Sequence, residues 1–388
     1  MRRLNNLSSP LLASDFRPFP KGGKRNDLTQ KEEVLVALSG GMDSAATVLW
    51  LREAGYRPRA LFLDLLDSDT QRRQVQAAAE ALGVALHIEP CAELFRHEII
   101  GHTLAEHAAG RTPSPCARCN GRIKWRLLAD TADRLGIFHI ATGHYVRTIH
   151  HEGHSYFRRG ADPAKDQSYY LWEVPEATIR RALLPLGDYT KEEVRRILRE
   201  RYRLTELSAR RESMGLCFLN GMRYGAFLQA HLPPGTIHPG DVVDPDGRII
   251  GRHDGYPLYT AGQRRGFTLF PSSPAANAPR NLAVRTTDAT RNQVVVAPGE
   301  SLKCREMLLN SCRAIDFDEL LTADPSTLRL VVRGIGRNPL PGCRLEQLSP
   351  TLLRATLLHD TAWAVSPGQP AVFYHADRLL GGGIITTQ

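Results

Sequence analysis

Apolar and polar positions divide this chain of 388 residues into two regions with different periodicities. In the first region, EVLVALSGG (33–41) is a short apolar run closed by a serine and two glycines, and MDSAATVLWLREAGY (42–56) then keeps helical spacing as far as Gly55. That pattern predicts a strand, a tight loop and a helix. RALFLDLL (59–66), the helical QRRQVQAAAEALG (71–83), ALHIEP (85–90) and FHIATGHY (138–145) extend the alternation. Strands alternating with helices predict a parallel sheet covered on both faces. TKEEVRRILRERY starts with Thr190 and Glu193 at capping-box spacing and predicts a helix near the end of this region.

From residue 206 onward the pattern changes. DPDGRIIG (244–251) is a turn between short strand-like pieces, and FPSSPAANAPRN (270–281) has linker composition. NQVVVAP, TLRLVVRG, RATLLHD and QPAVFYH then alternate with turn residues and contain little helix. The expected organisation is a polar N-terminal extension (1–30), an α/β domain (31–205), a small central domain (206–275) and a C-terminal β-barrel-like domain (276–388). A chain of this length is too large for one comfortable hydrophobic core. IHHEGHSYF (149–157) reads as a solvated hairpin rather than a set of metal ligands.

With 42% hydrophobic and 23% charged residues the composition is that of a globular protein, and a net charge of +9 favours a polyanionic partner over a neutral one. No run of about 18 apolar residues occurs, so a membrane-spanning helix is not expected. The first 30 residues are Arg-rich and polar and lack the apolar core of a secretory signal. Seven cysteines, an odd number, argue against a secreted disulfide framework and for a reducing compartment, the cytosol.

SGGMDS (39–44) lies where a strand meets a helix. Two glycines let backbone amides approach an anion, and the opening helix adds free N–H groups and a positive dipole end. GK[ST] is missing, so this is not the loop of ordinary phosphoryl-transfer enzymes. A strand followed by SGGxDS is the pyrophosphate-loop signature of enzymes that adenylate a substrate and release pyrophosphate. The candidate ATP ligands are Ser39, Gly40, Gly41, Asp43 and Ser44, with Asp43 and Ser44 placed to meet Mg2+ or phosphate.

SPCARCNGRIKW (114–125) puts Cys116 and Cys119 three residues apart beside Arg118, Arg122 and Lys124. Such a pair serves as a redox dithiol, half a zinc site, part of an iron–sulfur site or a sulfur carrier. Cys119 is expected directly before a helix, where cationic neighbours and the helix dipole favour its thiolate. GLCFL (215–219) supplies a third thiol, Cys217, whereas Cys91, Cys304, Cys312 and Cys343 have no motif around them.

SGGMDS, GRTPSPCARCN, ATGHYVR, KDQSYYLW, SMGLCFL, YTAGQRRGF, SPGQPAVFY and LGGGII occur in an order that resembles the tRNA-specific 2-thiouridylases, the MnmA/TrmU family, from about residue 33 to the C-terminus. The resemblance implies an N-terminal adenine nucleotide α-hydrolase-like domain and thiolation of the wobble uridine of tRNA. ATP adenylates the C2 oxygen, and sulfur replaces it. It also implies that a partner protein delivers persulfide sulfur to Cys217 and that Cys119 releases it, leaving a disulfide to be reduced. Cys116 stands where relatives commonly carry an acidic residue. With Cys119 and Cys217 it makes a three-thiol set that could hold a [4Fe–4S] cluster with an open iron; the persulfide relay is put first, the cluster second and zinc third.

By the same resemblance Leu63 and Gly143 line the nucleotide site, and Ser114, Pro115 and Cys116 surround the target base. His144, Lys165, Asp166, Gln167, Arg333 and Gln369 correspond to tRNA contacts, and Arg264 and Arg265 are candidate phosphate contacts. A uridine in an anticodon loop must leave its stack before C2 is reached. Two rival readings are another adenylating enzyme with the same loop and a noncatalytic RNA-binding module with a structural metal site.

Overall fold

A computed structural model describes residues 32–209, 215–273, 281–332 and 340–386. The extension expected over 1–30 and the candidate Arg333 lie outside the described residues. The chain divides into two units: Met1–Arg96, Arg118–Met214 and Asp377–Leu379 form one, and His97–Ala117, Gly215–Ala376 and Leu380–Gln388 form the other.

In the first unit, apolar runs too short for helices become strands β1 (Glu33–Ala37), β2 (Arg57–Asp64), β3 (Leu86–Pro90) and β4 (His139–Ala141). β5 (Val146–His151) and β6 (His154–Arg159) form the expected hairpin, and β7 (Ala182–Leu183) follows. The main sheet has the order β3-β2-β1-β4-β7 and is parallel throughout, as the alternating pattern requires. FHIATGHY yields only the three residues of β4, because the backbone leaves the sheet at Thr142–His144 to form a loop.

Helix α1 (Met42–Glu53) is buried at Met42 and from Ser44 to Leu51, which explains why its apolar positions surround it instead of forming one stripe. Trp50 anchors it, stacking on Tyr202 (5.7 Å, 30°) and meeting Tyr189 edge-on (5.9 Å). Helix α2 (Asp69–Leu82) begins with Ser68 accepting from Gln71 N and ends on left-handed Gly83, and its Val75, Ala79 and Leu82 face the core. The helix Lys191–Glu200 carries the full capping box: Thr190 accepts from Glu193 N, and Glu193 accepts from Thr190 N at 2.6 Å.

In the second unit, Gly240–Val243 and Ile249–His253 pair antiparallel across the DPDG turn, where Asp244 Oδ1 accepts from the backbone of Asp246 and Arg248. Phe267–Leu269, Gln293–Pro298 and Leu282–Asp288 complete that sheet, and Gln293–Pro298 runs parallel to Gly240–Val243. The chain therefore returns to the same sheet after residue 281. A larger sheet then lines up Leu340–Pro341, Leu328–Val332, Pro370–His375, Arg378–Thr386, Glu306–Ala314, Leu352–Leu357 and Cys343–Ser349.

The excursion His97–Ala117 belongs to this second unit, and its hydrogen bonds explain why. Buried His107 bonds Tyr224 Oη through Nε2 (2.8 Å) and faces the Pro257 carbonyl through Nδ1 (3.0 Å). Tyr256 Oη donates to the Ala108 carbonyl, Thr287 Oγ1 to the Gly110 carbonyl, and Thr112 N to the Pro367 carbonyl.

Removing the cap at Thr190 is expected to lower stability by about 1 kcal/mol, the usual worth of an N-cap side chain. Thermal unfolding of Thr190→Ala and of Glu193→Ala checks this, and the two losses should not add, because each residue completes the other's bond.

Candidate active site

Strands β3, β2 and β1 succeed one another to one side, and β4 lies on the other side of β1, so the connections after β1 and β4 leave in opposite directions. The carboxyl ends of these two strands are level, with Val36 opposite Ala141. A crevice opens at such a reversal, and ligands of open α/β sheets bind there.

The loop Ser39–Gly41 forms one wall and is held by its own hydroxyls. Ser44 Oγ donates to the Gly41 carbonyl (3.0 Å) and accepts from Ser39 N (3.2 Å), and Gly41 N donates to Ser39 Oγ (3.4 Å). Gly40 turns the chain at φ +75°, a conformation that glycine adopts without strain. Gly41 caps α1 without any side-chain bond, leaving the first-turn N–H groups to a ligand. Of the loop residues expected to meet phosphate or Mg2+, Ser44 is thus buried and engaged in shaping the loop.

The other wall is Thr142–His144. A Cβ on Gly143 would sit 2.9 Å from both the backbone carbon and Cβ of Asp43, so only glycine allows the two loops this approach. Asp43 itself is not bare. Lys191 Nζ donates to Oδ1 and Oδ2, each at 2.7 Å, and Tyr145 Oη donates to Oδ1 at 2.8 Å. Lys191 and Tyr145 escaped the sequence reading, since Lys191 looked like an ordinary first-turn residue of a capped helix and Tyr145 like a strand end. At the end of β2, Leu63 is half-buried, and buried Asp64 pairs with Arg72 of α2.

The cysteines fall in two settings. The helix begins at Pro115, so Cys119 is its last residue rather than a position just before it, and the run continues through a π-turn, Asn120–Lys124, into Trp125–Arg134. This corrects the expected placement: proline is well suited to the first helical position and moves the helix start from position 120 to 115. The dipole argument therefore weakens for Cys119, because that field falls off within the first turn. Cys119 is buried at 4% exposure, Cys116 is exposed, and Cys217 is exposed at the start of the short 3-10 turn Cys217–Leu219. π-turns inside helices frequently mark functional positions. Gly121 packs on Glu173, where a Cβ would come within 2.5 Å of the Glu173 Cβ. All seven cysteines are free thiols, and among the described residues no group of three His, Cys, Asp or Glu side chains could hold a metal ion. Cys91, next to Asp64 and Glu89, is pushed up to about 12, first by burial and then by those carboxylates, which keeps it an unreactive thiol.

Ser114, Pro115 and Cys116 are delivered by the second unit. Gln369 Nε2 donates to the carbonyls of Thr112 (2.8 Å) and Pro113 (3.0 Å), and Thr112 Oγ1 bonds Thr260 Oγ1 (2.6 Å). The amide expected to contact RNA therefore clamps the segment that precedes the cysteine helix.

Three family profiles match in succession: a "tRNA methyl transferase HUP domain" over residues 32–221, a "tRNA methyl transferase PRC-barrel domain" over 225–298 and an "Aminomethyltransferase beta-barrel domain" over 311–385. The tRNA-specific 2-thiouridylase MnmA 3 of Phocaeicola vulgatus is 36% identical over 92% of this chain and 95% of its own length. That of Chromobacterium violaceum is 32% identical over 94% and 95%, and that of Chlorobium phaeovibrioides 34% over 93% and 100%. The chain belongs to the MnmA family of tRNA-specific 2-thiouridylases.

The three architectural parts are accordingly an N-terminal HUP-type parallel sheet, a central PRC-barrel domain and a C-terminal β-barrel domain. The HUP domain implies that this MnmA-family chain uses ATP. Among the described residues, no helix is long and apolar enough to cross a membrane.

The remaining MnmA-family positions have definite surroundings. Asp166 is buried and accepts from Arg159 Nε (3.0 Å), Gly160 N (3.1 Å), Ser168 N (3.2 Å) and Ser168 Oγ (3.0 Å). It organises the turn that carries half-buried Lys165 and Gln167, and Gln167 Oε1 accepts from Tyr145 N (3.2 Å). His144 stacks on Trp125 (5.8 Å, 26°) and shares a 2.8 Å bond between Nδ1 and Thr142 Oγ1. Burial of its ring, and then Lys124, push His144 down to about 3, so it is neutral at pH 7. Arg264 lies over the Trp363 ring (5.7 Å), and Arg265 is exposed.

Gly143→Ala is expected to drive the two crevice loops apart and weaken ATP binding about tenfold or more, with a stability loss of about 1–3 kcal/mol from overpacking. Calorimetric ATP titration and thermal melting check both. His144 makes stability pH-dependent. Since its folded value lies below 6.5, the unfolded chain takes up a proton that the folded chain refuses, so stability present above pH 6.5 is lost as the pH falls through that window toward 3. His144→Gln should lose less stability than the wild type between about pH 7 and about pH 4 in urea titrations.

Proposed function

We propose that this chain thiolates C2 of the wobble uridine, position 34, of tRNA at the expense of ATP. The observation that carries the reading is the phosphate loop at the sheet's switch point in a chain that matches named 2-thiouridylases over nearly its whole length. Adenylation suits that loop, because its glycines let the backbone approach an anion and the start of α1 favours a polyphosphate. The uridine C2 oxygen attacks the α-phosphorus, pyrophosphate leaves, and the oxygen becomes part of an AMP leaving group.

A persulfide on Cys217, loaded by a sulfur-carrier protein, attacks C2 through its terminal sulfur and expels AMP. The Cys119 thiolate then attacks the Cys217 sulfur. The bond to the transferred sulfur breaks, 2-thiouridine leaves, and a Cys119–Cys217 disulfide remains for a cellular thiol reductant in a cytosolic setting. Exposure of Cys217 supports its role as the loading thiol, and burial of Cys119 beside the π-turn suits a thiol that reacts only within the assembled complex. Mg2+ accompanies ATP as the counter-ion of its phosphates. A [4Fe–4S] cluster held by Cys116, Cys119 and Cys217 is the second route, ranked after the persulfide relay.

Ser114, Pro115 and Cys116 flank the flipped base, Leu63 and Gly143 border the nucleotide, and His144, Lys165 and Gln167 face the tRNA, with Asp166 and Gln369 shaping the segments that present them. Arg264 and Arg265 add phosphate contacts, in keeping with a net charge of +9, and Arg333 is a further tRNA contact.

Cys119→Ala and Cys217→Ala should each abolish 2-thiouridine formation on tRNA carrying uridine at position 34, read by mass spectrometry of digested nucleosides. Cys116→Ala should retain it with a persulfide donor. Wild-type protein that releases no pyrophosphate when given ATP and that tRNA would remove the adenylation step and the reading with it.

A further inference from the structure

The ion pair at the mouth of the crevice has no role in the scheme above. Lys191 opens the helix Lys191–Glu200, and its side chain is 10% exposed. Its ammonium sits on both oxygens of Asp43 at 2.7 Å, while Asp43, at 34% exposure, is the second residue of α1 and borders the free amides at that helix's start. The lysine is fixed at every level. Lys191 N donates to Asp162 Oδ2 (3.0 Å), Thr190 caps the helix, and Nζ lies over the Tyr145 ring (5.3 Å). An enclosed ammonium is stabilised by an anion beside it, and a polyphosphate arriving at the α1 start carries more negative charge than one carboxylate.

We propose that Lys191 is a phosphate-binding residue of the nucleotide site, stored on Asp43 until ATP arrives and then shared with the β- and γ-phosphates. The inference rests on the reading of residues 39–44 as the phosphate loop. In the resting state the pair leaves the crevice neutral. When a polyphosphate docks on the loop amides, the ammonium exchanges its partner, and Asp43 competes with the ligand for it. Two consequences distinguish this from a structural salt bridge: the loss caused by removing Lys191 must grow with the number of phosphates beyond the first, and removing the competing carboxylate must strengthen anion binding only while Lys191 is present.

Calorimetric titration of the full chain without tRNA tests both. Lys191→Met is expected to bind ATP and pyrophosphate about tenfold or more weakly while binding AMP within about twofold of wild type, the scale of one lost charge contact near a protein surface. Lys191→Arg should restore most of the ATP affinity. In metal-free buffer, Asp43→Asn should bind pyrophosphate more tightly than wild type, and Asp43→Asn/Lys191→Met no better than Lys191→Met. The proposal fails if Lys191→Met weakens AMP and ATP equally, if it weakens neither, or if the gain from Asp43→Asn persists without Lys191. The Asp43→Asn arm needs no Lys191 variant to fold, and a loss of pyrophosphate binding there also refutes competition. Wild-type protein that binds neither ATP nor pyrophosphate would instead sink the phosphate-loop reading itself.

Discussion

The first unit depends on how closely the loops after β1 and β4 approach each other. Gly143 lies against the backbone of Asp43 at a distance that leaves no room for a side chain, and Lys191 and Tyr145 then close on the Asp43 carboxylate. Loop, α1, β4 and the helix Lys191–Glu200 are thereby tied at one point. The tie lies where the topology of a parallel sheet leaves a crevice, so the interaction that holds the elements together also shapes that crevice.

The segment that leads into the CxxC motif is built differently. The excursion His97–Ala117 is held to the second unit by buried His107 and by the Gln369 clamp on Thr112 and Pro113. The helix Pro115–Cys119 then carries the chain across to the first unit, with Cys116 counted in one and Cys119 in the other. The two thiols of the CxxC motif thus have unlike environments despite their spacing, one exposed and one buried. A redox dithiol needs both thiols in comparable reach of a partner, whereas a sulfur-transfer enzyme can use them separately.

Much of the fold was legible because its signals are local. Apolar runs of five to eight residues broken by glycine marked β1 to β3, Thr190 and Glu193 marked a helix start, and DPDG marked a hairpin. Cys119 ends a helix instead of preceding one because Pro115, a residue that suits a first helical turn, starts the helix ahead of the CxxC motif. Lys191 and Tyr145 were missed because their significance comes from Asp43, which lies 148 and 102 residues away along the chain. Asp166 and Gln369 are expected as RNA contacts, and no local pattern reveals that Asp166 also accepts from Gly160 N or that Gln369 donates to the distant carbonyls of Thr112 and Pro113.

By itself the sequence determined the strand–helix alternation of the first unit, the glycine loop where β1 meets α1, and the CxxC spacing, since each depends on neighbours within a few positions. Only the tertiary structure decided which charge faces Asp43, which cysteine is enclosed and which candidate polar groups are already bonded. Those outcomes depend on contacts between distant segments, and burial and partner choice have no signature in local spacing.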